Sequence, residues 1–207
     1  MSDLNNFPFK IYCDMDGVLV DFVSGAVDKI NDVLLDPPQD LDGLAIQARK
    51  ELGRNHVLAS DLYKNSPTAS KQAIKFMYRL LERDEEFWAN LPWTVDGKAL
   101  WAYLSQYNPT LLTSPMDKGG YLDSIAGKKR WAQTNLDGLD TNSRMIFAHD
   151  KFEHAIDDDG RPCVLIDDFL HKVAPFRERG GFGVHHTGDV YQTIQRLEEI
   201  KNGSRSI

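Results

Sequence analysis

Ile11, Tyr12 and Cys13 run straight into Asp14, Met15, Asp16 and Gly17. A short apolar run that ends in a turn predicts a buried strand over residues 9–13. The period then changes. Phe22, Val23, Ala26, Val27, Ile30, Val33 and Leu34 recur near every 3.6 residues, which predicts an amphipathic helix over 21–35. Asp36-Pro37-Pro38 ends it. Leu41, Leu44, Ala45, Ala48 and Leu52 predict a helix over 41–53, stopped by Gly53. Ser66-Pro67 breaks the chain, and Ala73, Ile74, Met77, Leu80 and Leu81 predict a helix over 68–82 with Ser66 or Thr68 as its N-cap. Glu85–Trp88 reads as one more turn or short helix, and no strand is predicted between residues 21 and 95.

Beyond Pro92 the chain alternates. Strands are predicted at 109–113, 144–148, 163–166 and, weakly, 181–185. Helices fit between and after them at 97–107, 121–136, 169–178 and 189–201. Such alternation implies an α/β fold: a doubly wound, Rossmann-like parallel sheet of five strands with helices on both faces. The helical block after the first strand reads as an insertion. The expected division is therefore a core of residues 1–21 and 93–207, with a small helical domain at 22–92.

Composition narrows the class. At 207 residues the chain suits one domain, or one with an insertion, and 42% hydrophobic with 27% charged residues is ordinary for a soluble protein. No apolar run approaches the ~20 residues of a membrane span. The first residues lack the basic and apolar regions of a signal peptide. Cys13 and Cys163 lie in apolar segments and read as buried, reduced thiols, so a cytoplasmic location is expected. A formal charge of −7 argues against wrapping a nucleic acid polymer. It leaves room for a small phosphorylated substrate. A homodimer stays open.

The chemistry starts at Asp14 and Asp16. Two aspartates at that spacing repel, and the repulsion is offset by a metal ion, a shared proton or open solvent. Asp14, Thr113 and Asp167 each fall at the C-terminal end of a predicted strand. Open parallel sheets bind ligands outside those ends, near the switch point in strand order. Three polar residues distant in sequence are thus expected in one crevice.

In order and context these residues resemble the haloacid dehalogenase superfamily of phosphotransferases. Asp14-Met15-Asp16-Gly17-Val18-Leu19 looks like its first motif, Leu111-Leu112-Thr113-Ser114 its second, and Leu165-Ile166-Asp167-Asp168 its fourth. A narrower resemblance, to the 5'(3')-deoxyribonucleotidase family, rests on Asp14 through Phe22, Thr113-Ser114-Pro115, Lys128-Lys129-Arg130-Trp131 and His149-Asp150-Lys151. Members typically carry Arg-Asp-Lys at the last of these and a shorter segment before the Asp-Asp pair, departures that bear on the substrate.

The resemblance implies sheet order 5-4-1-2-3 and a cap at about residues 22–92 that closes over the crevice. It implies Asp14 as the nucleophile that forms an aspartyl-phosphate, with Asp16 as general acid and then base. It implies Mg²⁺, a hard ion for oxygen ligands, held by the Asp14 carboxylate, the Asp16 carbonyl and Asp167, with Asp168 close by. Thr113 and Ser114 would hold the phosphate, and Lys151, or else Lys128, would neutralise it. Phe22 and Trp88 would contact a nucleobase, although core packing suits both equally. The expected reaction is Mg²⁺-dependent hydrolysis of (deoxy)nucleoside monophosphates. The alternatives are another small phosphomonoester, a nucleic-acid phosphate end, or a non-catalytic phosphate-binding protein.

Overall fold

The computed structural model describes residues 7–63 and 66–203. Residues 1–6 of the N-terminal stretch lie outside them. Five strands form one all-parallel sheet: β1 (Ile11–Cys13), β2 (Thr110–Thr113), β3 (Met145–Phe147), β4 (Val164–Asp167) and β5 (Phe182–His185). Their order is β3-β2-β1-β4-β5, the order expected. The three inner strands are buried at every residue, whereas β3 and β5 are partly open. A central strand covered on both faces can be apolar throughout; an edge strand cannot.

The chain divides into two compact units. The sheet unit comprises residues 1–21, 92–115 and 128–207. It carries the sheet with α6 (Gly97–Leu104), α8 (Leu170–Glu178) and α9 (Val190–Lys201). Tyr12, Leu112 and Leu165 project to one face, where they pack with Ala155, Cys163 and the α8 residue Phe176. The helical unit comprises residues 22–91 and 116–127. Met116–Gly127, left with the core in the sequence reading, clusters here because α7 (Tyr121–Asn135) is divided between the units at Lys128.

The helical unit is built on α1 (Phe22–Leu35), α2 (Asp42–Leu52), α3 (Ala59–Leu62), α4 (Lys71–Leu81) and α5 (Glu85–Ala89). Ala26, Ile30, Val33 and Leu34 of α1 are buried, as are Ala73, Phe76, Met77, Leu80 and Leu81 of α4. The N-cap of α4 is a correction. Ser70, not Ser66 or Thr68, accepts the Ala73 N–H, while the Ser66 hydroxyl is spent on Thr68. Spacing alone does not separate three hydroxyl residues within five positions. α3 is a short addition to the elements read from sequence. Its four residues are too few for a period to emerge.

Candidate active site

Strand register fixes the first part of the site. Cys13 pairs with Leu111 on one side and Ile166 on the other. Asp14 is therefore level with Asp167, and its backbone N–H donates to the Ile166 carbonyl at 2.9 Å. Sequence separation of 153 positions is erased by one step of pairing. The result is two carboxylates side by side at the carboxyl edge of the sheet, with Asp168 next along. Asp14, Asp167 and Asp168 can each offer an oxygen within 4.8 Å of the others.

Lys151 lies among them and is almost wholly buried. Its Nζ is 2.9 Å from Asp14 Oδ1 and 2.6 Å from Asp167 Oδ2. Burial alone would favour the neutral amine, but Asp14 and Asp167 outweigh it and raise the Lys151 pKa. The carboxylates are held in turn by backbone: Met15 N–H donates to Asp14 Oδ1 at 2.7 Å and Phe169 N–H to Asp167 Oδ1 at 2.9 Å. Burial, then Asp14, pushes Asp167 up to about 6. Burial, then Asp14, Asp167 and Asp16, pushes Asp168 up to about 8. Asp168 Oδ1 is buried and accepts no hydrogen bond among the described residues.

A second lysine organises the other half. Lys128, fully buried, donates from Nζ to Asp16 Oδ2 at 2.6 Å, Thr113 Oγ1 at 3.0 Å and the Ser114 carbonyl at 2.7 Å. Burial raises the Asp16 pKa; Lys128 opposes that, and Asp14 adds to it. The Ser114 hydroxyl donates to the Ala148 carbonyl at 3.1 Å, which ties the end of β2 to the end of β3. The Cys13 thiol, next to Asp14, is pushed well above its usual range by burial and then by Asp14. It stays a neutral thiol and a poor nucleophile.

Gly17 explains how the turn after β1 comes so near Asp168. Its φ is +76°, and a Cβ there would lie 2.3 Å from Asp168 Oδ2. Only glycine both adopts that conformation and leaves the space. The glycine is conspicuous in the sequence; its partner is not, because 151 positions separate them.

Of the residues singled out in the sequence, Asp14, Asp16, Thr113, Ser114, Lys128, Lys151, Asp167 and Asp168 are brought together by these contacts. Phe22 and Trp88 belong to the helical unit, where their rings stack at 5.4 Å and 16° with Phe87 set edge-on to both. The pairing of Lys128 with Asp16 was missed. Nothing local marks a lysine on α7 as the partner of an aspartate 112 positions away.

The donor set fits Mg²⁺. Four carboxylates face two ammonium groups, a net −2 when all are ionised, which one divalent cation offsets. The unpartnered Asp168 oxygen and the neighbouring Asp14 and Asp167 oxygens are hard ligands of the kind that ion takes.

No protein-family model matches the chain, and no curated protein does. Among solved structures, the chain is similar to a hydrolase from Pseudomonas syringae at 17% identity and a TM-score of 0.44, over 91% of this chain and 90% of that one. It is also similar to a hydrolase from Streptococcus pneumoniae TIGR4 at 13% identity and a TM-score of 0.45, over 92% of this chain and 98% of that one. Among the described residues no helix is long and apolar enough to cross a membrane.

Proposed function

We propose that this protein is a Mg²⁺-dependent phosphomonoester hydrolase of the haloacid dehalogenase type, acting on nucleoside monophosphates. The observation that carries the reading is the meeting of Asp14, Asp167 and Asp168 around Lys151, beside Asp16 and Thr113 joined by Lys128. Two carboxylates two residues apart have different surroundings and so suit different tasks. Asp14 is ion-paired with Lys151 and offers an oxygen for attack. Asp16 has its pKa raised and suits proton transfer.

In the first step an Asp14 oxygen attacks phosphorus. The bond from phosphorus to the leaving oxygen breaks, and that oxygen takes a proton from the Asp16 carboxyl. In the second, the Asp16 carboxylate takes a proton from water, whose oxygen attacks phosphorus. The bond to Asp14 breaks, and inorganic phosphate leaves. Lys128 and Thr113 would bind the phosphoryl oxygens, and Lys151 would hold Asp14 in line. Bound Mg²⁺, held by Asp14, Asp167 and Asp168, would supply charge neutralisation on the phosphoryl group.

The nucleotide part of the reading rests on the run from Asp14 to Phe22 and on the aromatic pair of Phe22 and Trp88. A screen of phosphate release over 5' and 3' nucleoside monophosphates, ribo and deoxy, beside sugar phosphates tests it. Nucleotides should be preferred, and Phe22→Ala should lower turnover of nucleotides more than that of a small aryl phosphate. Asp14→Asn should lower phosphate release by at least about 10³-fold with the fold intact, as removal of a nucleophile does. A chelator should stop wild-type release and Mg²⁺ restore it. Near-full turnover by Asp14→Asn would remove the nucleophile, and with it the reaction.

A further inference from the structure

The turn that carries Asp16 is closed on itself. The N–H groups of Val18, Leu19 and Val20 all donate to the Met15 carbonyl, at 3.2, 2.8 and 2.9 Å, and Gly17 N–H donates to the Val20 carbonyl at 2.8 Å. Val18 O and Leu19 O are two further carbonyls of this turn, on residues that are themselves fully buried. A buried carbonyl needs a donor. Both find one in Thr94. Its hydroxyl donates to Val18 O at 2.8 Å, and its backbone N–H donates to Leu19 O at 2.9 Å. Asp21 N–H and the Pro92 carbonyl close the same seam at 2.8 Å.

The neighbour of Thr94 holds the other side of the ion pair. Trp93 packs on Trp131 at 4.8 Å and donates its indole N–H to Asn135 Oδ1 at 3.1 Å. Trp131 and Asn135 stand three and seven positions after Lys128, on one face of α7. The segment Trp93–Thr94 thus grips the turn of Asp16 with one residue and the helix of Lys128 with the next. Gly97 lets the segment fold this tightly: a Cβ there would lie 2.6 Å from Leu19 O and 2.7 Å from Thr94 Oγ1. The segment is itself anchored, because Asp96 Oδ2 accepts the Val190 N–H that opens α9, at 3.1 Å.

We propose that Thr94 is a positioning residue for the general acid: it touches no reacting atom, and it sets Asp16 against Lys128 and the leaving oxygen. The role rests on the reaction proposed above and adds to it a residue outside the motifs read in the sequence. It also makes a distinctive demand. A displaced acid harms esters whose leaving group needs a proton and spares those whose leaving group does not.

The test compares Thr94→Val, which keeps the shape and loses the hydroxyl, with Thr94→Ser, which keeps the hydroxyl. Each is assayed as the full chain with Mg²⁺ on phenyl phosphate and 4-nitrophenyl phosphate. A general acid contributes about 10²–10⁴-fold, so partial displacement should cost Thr94→Val roughly tenfold more kcat on phenyl phosphate than on 4-nitrophenyl phosphate. Thr94→Ser should stay within about twofold of wild type on both, because its hydroxyl still reaches Val18 O. Amide hydrogen exchange at Val18–Val20 should quicken in Thr94→Val and not in Thr94→Ser. Equal losses on the two esters, or a Thr94→Ser as impaired as Thr94→Val, would overturn the positioning role while leaving the hydrolase standing. A wild-type protein that releases phosphate from neither ester nor any nucleotide would instead remove the proposed function, and the role with it.

Discussion

Asp61 in the helical unit and Asp168 in the sheet unit are both carboxylates drawn out of water, and they meet opposite surroundings. Asp61 receives Arg54 Nη2 at 2.5 Å and the Leu58 N–H at 2.6 Å. Burial would raise its pKa, but those two donors and the Arg54 charge outweigh burial and lower it. Asp168 has burial and three other aspartates against it and only Lys151 in its favour, so it is pushed up to about 8. One of its oxygens accepts no hydrogen bond among the described residues. Burial therefore does not distinguish a structural carboxylate from a functional one; the unmet demand does. Asp61 is a fastening for the chain between α2 and α3. On the function proposed above, Asp168 would be a ligand of the metal.

Substituting each residue should break that contrast in different currencies. Asp168→Asn keeps the shape and removes a charge. Its Mg²⁺ affinity, by titration calorimetry, should fall at least about 100-fold, while the metal-free protein melts at the same temperature or slightly higher because repulsion with Asp14 and Asp167 is relieved. Unchanged affinity would show that the orphan oxygen is not a ligand. Asp61→Ala should do the reverse. It strands the Leu58 N–H and frees Arg54, a loss of about 1–3 kcal/mol in urea unfolding, at the lower end because Arg54 is partly exposed. A loss well under 1 kcal/mol would mean that water replaces Asp61 at no cost.

The same contrast governs what was legible in the sequence. The sheet and the meeting of Asp14, Thr113 and Asp167 follow from apolar runs that end in polar residues, because strand period and strand-end placement are local rules, whereas the strand order is implied only by the family resemblance. Asp168 could be named from the Asp-Asp pair. Its unmet state could not, since that depends on Gly17 and Asp14 reaching it from the far end of the chain. Asp61 passed unremarked: in a short stretch of Leu58, Ala59, Ser60 and Leu62 nothing announces a fastening. The Ser114 hydroxyl donates to Ala148 of a neighbouring strand, a partner that no local pattern announces. The pairing of Lys128 with Asp16 is not legible in the sequence, because it depends on how α7 meets the turn after β1. Local pattern reads elements and their ends; long-range partners decide what each end does.

Opposite pKa shifts carry opposite signs in stability, which gives the finest test of the contrast. Asp168 and Asp167 have folded values above the unfolded 3.8, so the metal-free folded protein holds protons that the unfolded chain has released. Their contribution is fully present below about pH 4 and is lost as pH rises, through about 6 for Asp167 and about 8 for Asp168. Asp61 has a folded value below 3.8, so its contribution is full above that pH and is lost as pH falls through the folded value. His186 and His154, lowered by burial, lose stability as pH falls below 6.5. The window from pH 6.5 to 8 is therefore left to Asp168 together with Asp16, whose pKa burial also raises. In chelator, wild-type stability should fall across that window by at most about 1.4 kcal/mol per pH unit, shared over the coupled aspartates. Asp168→Asn should flatten the slope. Saturating Mg²⁺ should remove it as well, because ligated carboxylates have given up their protons. A wild-type slope that survives Asp168→Asn would assign the raised titration to another member of the cluster.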